Sequence, residues 1–153
     1  KGLAMNNNAE HKAVEQLVAD KICAVFKCDE IQTGSDAAPA DRLFYRDGKV
    51  VAVAEIKGRN RSIEELEKWG TYMITEDKLT NGQQLSSLLH VPFYILAYLK
   101  ESKKIAMLPI TDARGHFVCQ YDTERIPTKA NCDGGTAVRE NAFIHLDQMK
   151  LYD

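Results

Sequence analysis

An acid and an amine two residues apart, Glu55-Ile56-Lys57, follow directly on the apolar run Val50-Val51-Ala52-Val53-Ala54. A Glu-X-Lys triplet carries little information by itself, since about two arise by chance in a chain of this composition. Four occur here, the others being Glu10/Lys12, Glu76/Lys78 and Glu101/Lys103. Those three fall at helix starts or turns, where charge pairs decorate a solvated surface. The triplet at 55 differs in its place. Period-two alternation sets Glu55 and Lys57 on the same face as Val51 and Val53, at the end of a strand that is apolar on both faces and therefore central. A carboxylate and an ammonium left there without partners would each cost several kcal/mol of desolvation. That cost calls for a compensating ligand.

The preceding hairpin supplies a second acid. Arg46-Asp47-Gly48-Lys49 suits a three-residue loop with Gly48 in the left-handed position, which pairs Tyr45 with Lys49. Counting back, Asp41 falls opposite Val53, on the face of Glu55 and one diagonal step from it. A two-residue turn would put Asp41 on the other face, so the pairing of the two acids depends on turn type. Paired carboxylate oxygens without a soft ligand suit a hard cation such as Mg²⁺, with Mn²⁺ able to substitute and positions left for water and a phosphate.

Several elements must hold these groups. Lys1 to Ala4 precede Met5 and read as a tag remnant, so residues 1–8 are expected to be disordered and 9–153 to form one domain. Val14, Leu17, Val18, Ile22 and Val25 recur at helical spacing, predicting a helix over about 9–26. A short strand at 29–33, a connection from Gly34 to Pro39, and the hairpin strands 42–46 and 49–57 follow. Ser62 and Glu65 form a capping box for a helix over about 63–69, and a second helix spans 76–90. Strands are expected at 93–99, 103–108 and 116–121. The stretch 122–141, polar and containing Pro127 and Gly134-Gly135, shows no periodicity and reads as a long functional or mobile loop. The order predicts an α/β domain with a mixed central β-sheet flanked by helices.

Asp41 after Pro39-Ala40, then a hairpin, then Glu55-Ile56-Lys57, resembles the signature of the PD-(D/E)XK, or restriction-endonuclease-like, nuclease superfamily. The order of elements agrees over residues 9 to about 100, and the passage Ile74 to Pro92, with Lys78 on a Leu-rich helix, is similar to segments of restriction-like and resolvase-like members. The C-terminal third does not align. Ala40 interrupts the literal Pro-Asp pair, which leaves Asp36 as a weaker competitor for Asp41. The resemblance implies the αβββαβ core, Asp41 and Glu55 as Mg²⁺ ligands, the Ile56 carbonyl as a further ligand, and Lys57 as the group that readies the attacking water. It also implies hydrolysis of DNA phosphodiesters to a 3′ hydroxyl and a 5′ phosphate. Many members place a first-helix Glu near the metal. Glu10, on the Val14/Leu17/Val18 face, is the candidate, with Glu15 as competitor and a helix-dipole role as the plain alternative. Lys78 lies along the apolar stripe of its helix and either snorkels or reaches the site. Arg59 and Arg61 are candidate phosphate clamps, against solvated loop charges. Gln84, with Gln83, is a candidate DNA contact, against exposed glutamines.

Composition narrows the classes further. The 153 residues are 44% hydrophobic and 27% charged with a formal net charge of −2, the balance of one globular domain without polybasic nucleic-acid binding. No run approaches the roughly 20 apolar residues of a membrane span, and a cytoplasmic location is expected. Cys23, Cys28, Cys119 and Cys132 are read as reduced thiols, too unevenly spaced for a disulfide framework or paired zinc site. No phosphate-loop motif occurs. His116 and Cys119 would face opposite sides of a strand, which disfavours a cysteine hydrolase. A homodimer, with 122–141 as the contact, is expected by analogy of fold. The rival of a different class is an inactive nucleic-acid-binding or assembly module on the same fold, separated from a nuclease by binding without cleavage in any divalent metal. A phosphoesterase acting on a small nucleotide is a third reading.

Overall fold

Strand β3 (Lys49–Arg59) runs through the middle of the domain and is covered on both sides, as its unbroken apolar run requires. In the computed structural model, which describes residues 2–33, 40–129 and 136–153, the elements before it are α1 (Gly2–Phe26), β1 (Asp29–Gln32) and β2 (Arg42–Arg46). After it come α2 (Ile63–Trp69), β4 (Thr71–Thr75), α3 (Glu76–Leu89), β5 (Phe93–Leu99), β6 (Lys104–Thr111), β7 (Tyr121–Lys129), β8 (Thr136–His145) and β9 (Lys150–Tyr152). Asp36, Cys132 and the 34–39 connection lie outside the described residues. Six strands form one sheet in the order β1-β2-β3-β5-β6-β9, antiparallel except for the β3–β5 pair. A parallel step needs a crossover, and α2, β4 and α3 make it. The result is a mixed α/β fold with three flanking helices, compatible with a restriction-endonuclease-like core.

The two faces of β3 meet different partners. Ala54 and Ile56 pack under Val18, Ala19 and Ile22 of α1. Val53, on the other face, packs with Leu79 of α3, Phe93 and Ile95 of β5, and Ile74 and Ile144 of a second, three-stranded sheet of order β4-β8-β7. Helix α3 lies close to β5 because Gly82 has no side chain: a Cβ there would come within 2.2 Å of Phe93 Cζ. Alanine is the better helix former by about 1 kcal/mol, but Phe93 is fully buried and cannot retreat. Gly82→Ala is therefore expected to lose about 1–3 kcal/mol in urea unfolding and to shift α3, which carries Lys78.

The hairpin turn differs from expectation. Arg46 pairs with Lys49 across a two-residue turn, with Asp47 at φ 53° and Gly48 at φ 75°, the type I′ geometry that matches strand twist. Taken alone, this turn would send Asp41 to the face opposite Glu55. A β-bulge corrects it: Tyr45 pairs with Val50, but Phe44 pairs with Ala52, so Val51 is the extra residue. Arg42 then faces Ala54, and one step on Asp41 faces Glu55. The single extra residue restores the parity that the shorter turn removes.

Other boundaries shift too. Helix α1 starts at Gly2 rather than near residue 9. The capping box of α2 forms as expected, with Ser62 Oγ accepting from the Glu65 amide at 3.2 Å, and Gly70 ends that helix at φ 76°. Strand β4, unanticipated, alternates buried Tyr72 and Ile74 with less buried neighbours. In place of a strand at 116–121 there is an isolated bridge from Phe117 to Thr111. The stretch read as a loop contributes to an antiparallel pair, β7 and β8. Pro127 is tolerated because β7 is the edge strand. Among the described residues no helix is long and apolar enough to cross a membrane.

Candidate active site

Asp41 stands where the β2–β3 ladder ends. Its amide donates to the Ala54 carbonyl at 3.0 Å, and its carboxylate Oδ2 accepts from the Ile56 amide at 2.8 Å. The side chain thus takes the donor that β2 has no further backbone acceptor to meet, which fixes the carboxylate beside Glu55.

Glu55 is the most constrained group of the site. It is 1% exposed, with Lys78 Nζ 3.2 Å and Lys57 Nζ 3.7 Å from Oε1. Lys78 is within hydrogen-bond length but off the ideal angle and Lys57 lies beyond it, so the buried Oε1 is met by charge more than by well-aligned hydrogen bonds. Burial pushes the Glu55 carboxyl up to about 7, the Asp41 charge pushes the same way, and Lys57 and Lys78 oppose both. Lys78 sits in the first turn of α3, and the packing of α3 on β3 brings it in.

Of the two candidate acids on α1, Glu15 has the charged groups of this region among its neighbours. Burial and then the Asp41 charge raise the Glu15 carboxyl, while Arg42 and Lys57 hold it down. Its neighbours are therefore those of the site. Glu10 is exposed. Arg42, which sequence reasoning passed over, is buried on the α1 side of β2, with Nη1 3.4 Å from Glu15 Oε2 and Nε 3.1 Å from Glu30 Oε2. Its Nη1 also donates to the Asp41 carbonyl at 3.1 Å. An arginine alternating with Phe44 on a core-facing strand was the available signal.

The remaining candidates separate. Arg59 lies over the Tyr72 ring, 5.2 Å from its centroid, and donates to the Met73 carbonyl at 3.3 Å. Arg61 lies over Trp69 at 4.8 Å. Gln84 is exposed, whereas Gln83 is tied to the Gly115 carbonyl at 2.9 Å.

Asp41, Glu55, Lys57 and Lys78 thus gather at one end of β3. No curated protein matches the chain. A family described as "Phage putative PDDEXK endonuclease" matches residues 5–121. The chain belongs to that family. The match takes in α1, the hairpin, α3 and the strands through β6, and so every residue of the site just described. A PD-(D/E)XK member is nuclease-like, and nucleases of this kind generally use divalent metals. Among the described residues no group of three His, Cys, Asp or Glu side chains is assembled to hold an ion. Mg²⁺, however, keeps several waters and is commonly held by one or two carboxylates with substrate phosphate completing the shell. The buried Glu55 carboxylate beside that of Asp41 fits that demand.

Proposed function

We propose that this chain is a divalent-metal-dependent deoxyribonuclease in which Asp41, Glu55 and the Ile56 carbonyl hold Mg²⁺, with Glu15 of α1 as a further acid that feels the Asp41 charge. The observation that carries the reading is Glu55, a buried carboxylate beside a second carboxylate, with two ammonium groups near one of its oxygens. Two carboxylates brought together raise each other's cost of ionisation, and a cation held between them would offset it. When bound, the ion would lower the pKa of its water and offset charge on the phosphate oxygens.

The protein's own groups do the rest. Lys57, 29% exposed, orients the attacking water and presents positive charge to the phosphorane oxygens. Lys78, the nearer ammonium, favours the ionised form of Glu55. Arg42 holds Glu15 in place from beneath the sheet. In-line attack by water leaves a 3′ hydroxyl and a 5′ phosphate.

Plasmid and single-stranded DNA incubated with Mg²⁺ or Mn²⁺ test the reading. Cleavage is expected, abolished by chelator and reduced about 10³-fold by Lys57→Ala, the upper range for loss of one preorganised charge. Lys78→Ala acts differently. Removing it lets the Glu55 pKa rise further, so the acid limb of the rate profile moves to higher pH, with a loss of about tenfold below neutrality. DNA binding without cleavage in any divalent metal would overturn the nuclease reading in favour of a binding module.

A further inference from the structure

We infer that the cleft between Arg59 and Trp69 takes an unpaired nucleotide of a DNA strand, so that the substrate is DNA with a single-stranded segment beside the scissile bond. This rests on the nuclease reading above and names its substrate class. The cleft, about 340 Å³, is lined by Arg59, Leu66, Trp69, Tyr72, Leu99 and Phe143, within the size range of small-ligand sites. It continues the active site. Glu55, Lys57 and Arg59 alternate on one face of β3, which puts Arg59 about 7 Å beyond Lys57. Tyr72 of β4 is near enough to Glu55 to feel its charge.

Three features define the occupant. The first is a cation in want of an anion. Arg61 pairs with Glu65 at 3.8 Å and also stands by Glu101, so its charge is met. Arg59 is half-buried and, among the described residues, has no carboxylate partner; a backbone phosphate suits it. The second is an aromatic surface that serves no core. Trp69 is 54% exposed, and the Arg61 guanidinium held over it at 4.8 Å makes a flat platform on which a base can stack. The third is the wall behind them: Tyr72 is 2% exposed, its hydroxyl is enclosed with Arg59 as its polar neighbour, and its ring closes the cleft beneath the Arg59 guanidinium. A paired base offers neither its face nor its Watson–Crick edge, and an intact duplex presents only phosphates and groove edges. An apolar, aromatic-lined cleft is filled by a nucleotide that has left the stack.

Trp69 is the single tryptophan of the chain, so its fluorescence reports on the cleft directly. In chelator, a short single-stranded oligonucleotide is expected to quench Trp69 saturably and to bind roughly tenfold more tightly than a blunt duplex of the same sequence. Arg59→Ala should weaken the single strand by a similar factor and the duplex by clearly less. By anisotropy of a labelled strand, Trp69→Ala should weaken binding and Trp69→Phe should restore most of it. Equal affinity for strand and duplex, or strand binding that leaves Trp69 emission untouched, would overturn the inference. The wild-type comparison needs no variant to fold. The two readings fail separately: duplex cleavage in Mg²⁺ with Trp69 silent to every DNA removes the cleft and keeps the nuclease, whereas quenching by the single strand with no DNA cut in Mg²⁺ or Mn²⁺ removes the nuclease and keeps the cleft.

Discussion

Glu55→Gln is expected to abolish metal-dependent cleavage, by on the order of 10⁴-fold, and at the same time to stabilise the metal-free protein above neutral pH. The two effects have opposite signs because one group causes both. In the fold the Glu55 carboxyl titrates at about 7, against an ordinary value of 4.5. Between those limits the native state binds the proton and the unfolded chain has lost it, so stability falls as pH rises from about 4.5 to 7 and is flat beyond. The full difference corresponds to about 3 kcal/mol, and an uncharged glutamine escapes it. Lys57 and Lys78 lose their acid in the variant, but at 29% and 33% exposed they can turn to water, and little is forfeited. Urea unfolding in chelator at pH 5 and pH 8 should show the wild type losing stability between the two while the variant does not. Added Mg²⁺ should recover the wild type at pH 8 and leave the variant unmoved. A variant less stable than wild type at pH 8 in chelator would mean that the buried charge is not a burden on the fold.

How the site could be seen in the chain, and where it could not, follows from which interactions are local. The apolar run before Glu55 located the central strand, because continuous burial on both faces leaves a continuous apolar record. The capping box at Ser62 and Glu65 located α2 for the same reason: every interaction in it spans three residues. The pairing of Asp41 with Glu55 was reached through the wrong turn. Asp47-Gly48 makes the two-residue connection, and the bulge at Val51 that rescues the pairing has no residue signature, since Val51 differs in nothing from Val50 or Val53. The choice between Glu10 and Glu15 was equally hidden. Both lie on or beside the apolar face of α1, and the decision belongs to the point where that helix crosses the sheet. It passes over Gly58, where an added Cβ would lie 3.4 Å from Val14 Cγ1, and this brings the next residue, Glu15, to the site while Glu10 stays more than a turn away. Strands β7 and β8 left no alternation over residues 122 to 127, because those β7 side chains face largely to solvent. The cleft of Arg59, Trp69 and Tyr72 joins β3, α2 and β4 through contacts that only the folded chain makes.

Asp41 permits a sharper separation of chemistry from architecture, because its carboxylate has two duties that different substitutions divide. Oδ2 accepts the Ile56 amide at 2.8 Å, and the charge of the same carboxylate raises the Glu55 pKa. Asp41→Asn keeps an oxygen acceptor for the amide and removes the charge. Asp41→Ala removes both. Cleavage is expected to fall by about 10³–10⁴-fold in either variant, since neither offers the second anionic oxygen to a hard cation. Stability should split them. The alanine variant leaves a backbone donor unmet beside β2 and is expected to lose about 1–3 kcal/mol in urea unfolding, whereas the asparagine variant stays near wild type. With the Asp41 charge gone, Glu55 loses one of the two influences that raise it, so its carboxyl titrates lower in Asp41→Asn, and the decline of stability with rising pH becomes shallower than in the wild type. Equal destabilisation by asparagine and alanine would show that the hydrogen bond to Ile56 is not what fixes Asp41. Retained cleavage in Asp41→Asn would remove this residue from the metal site and shift the role to Glu15, the other acid whose neighbours include Lys57.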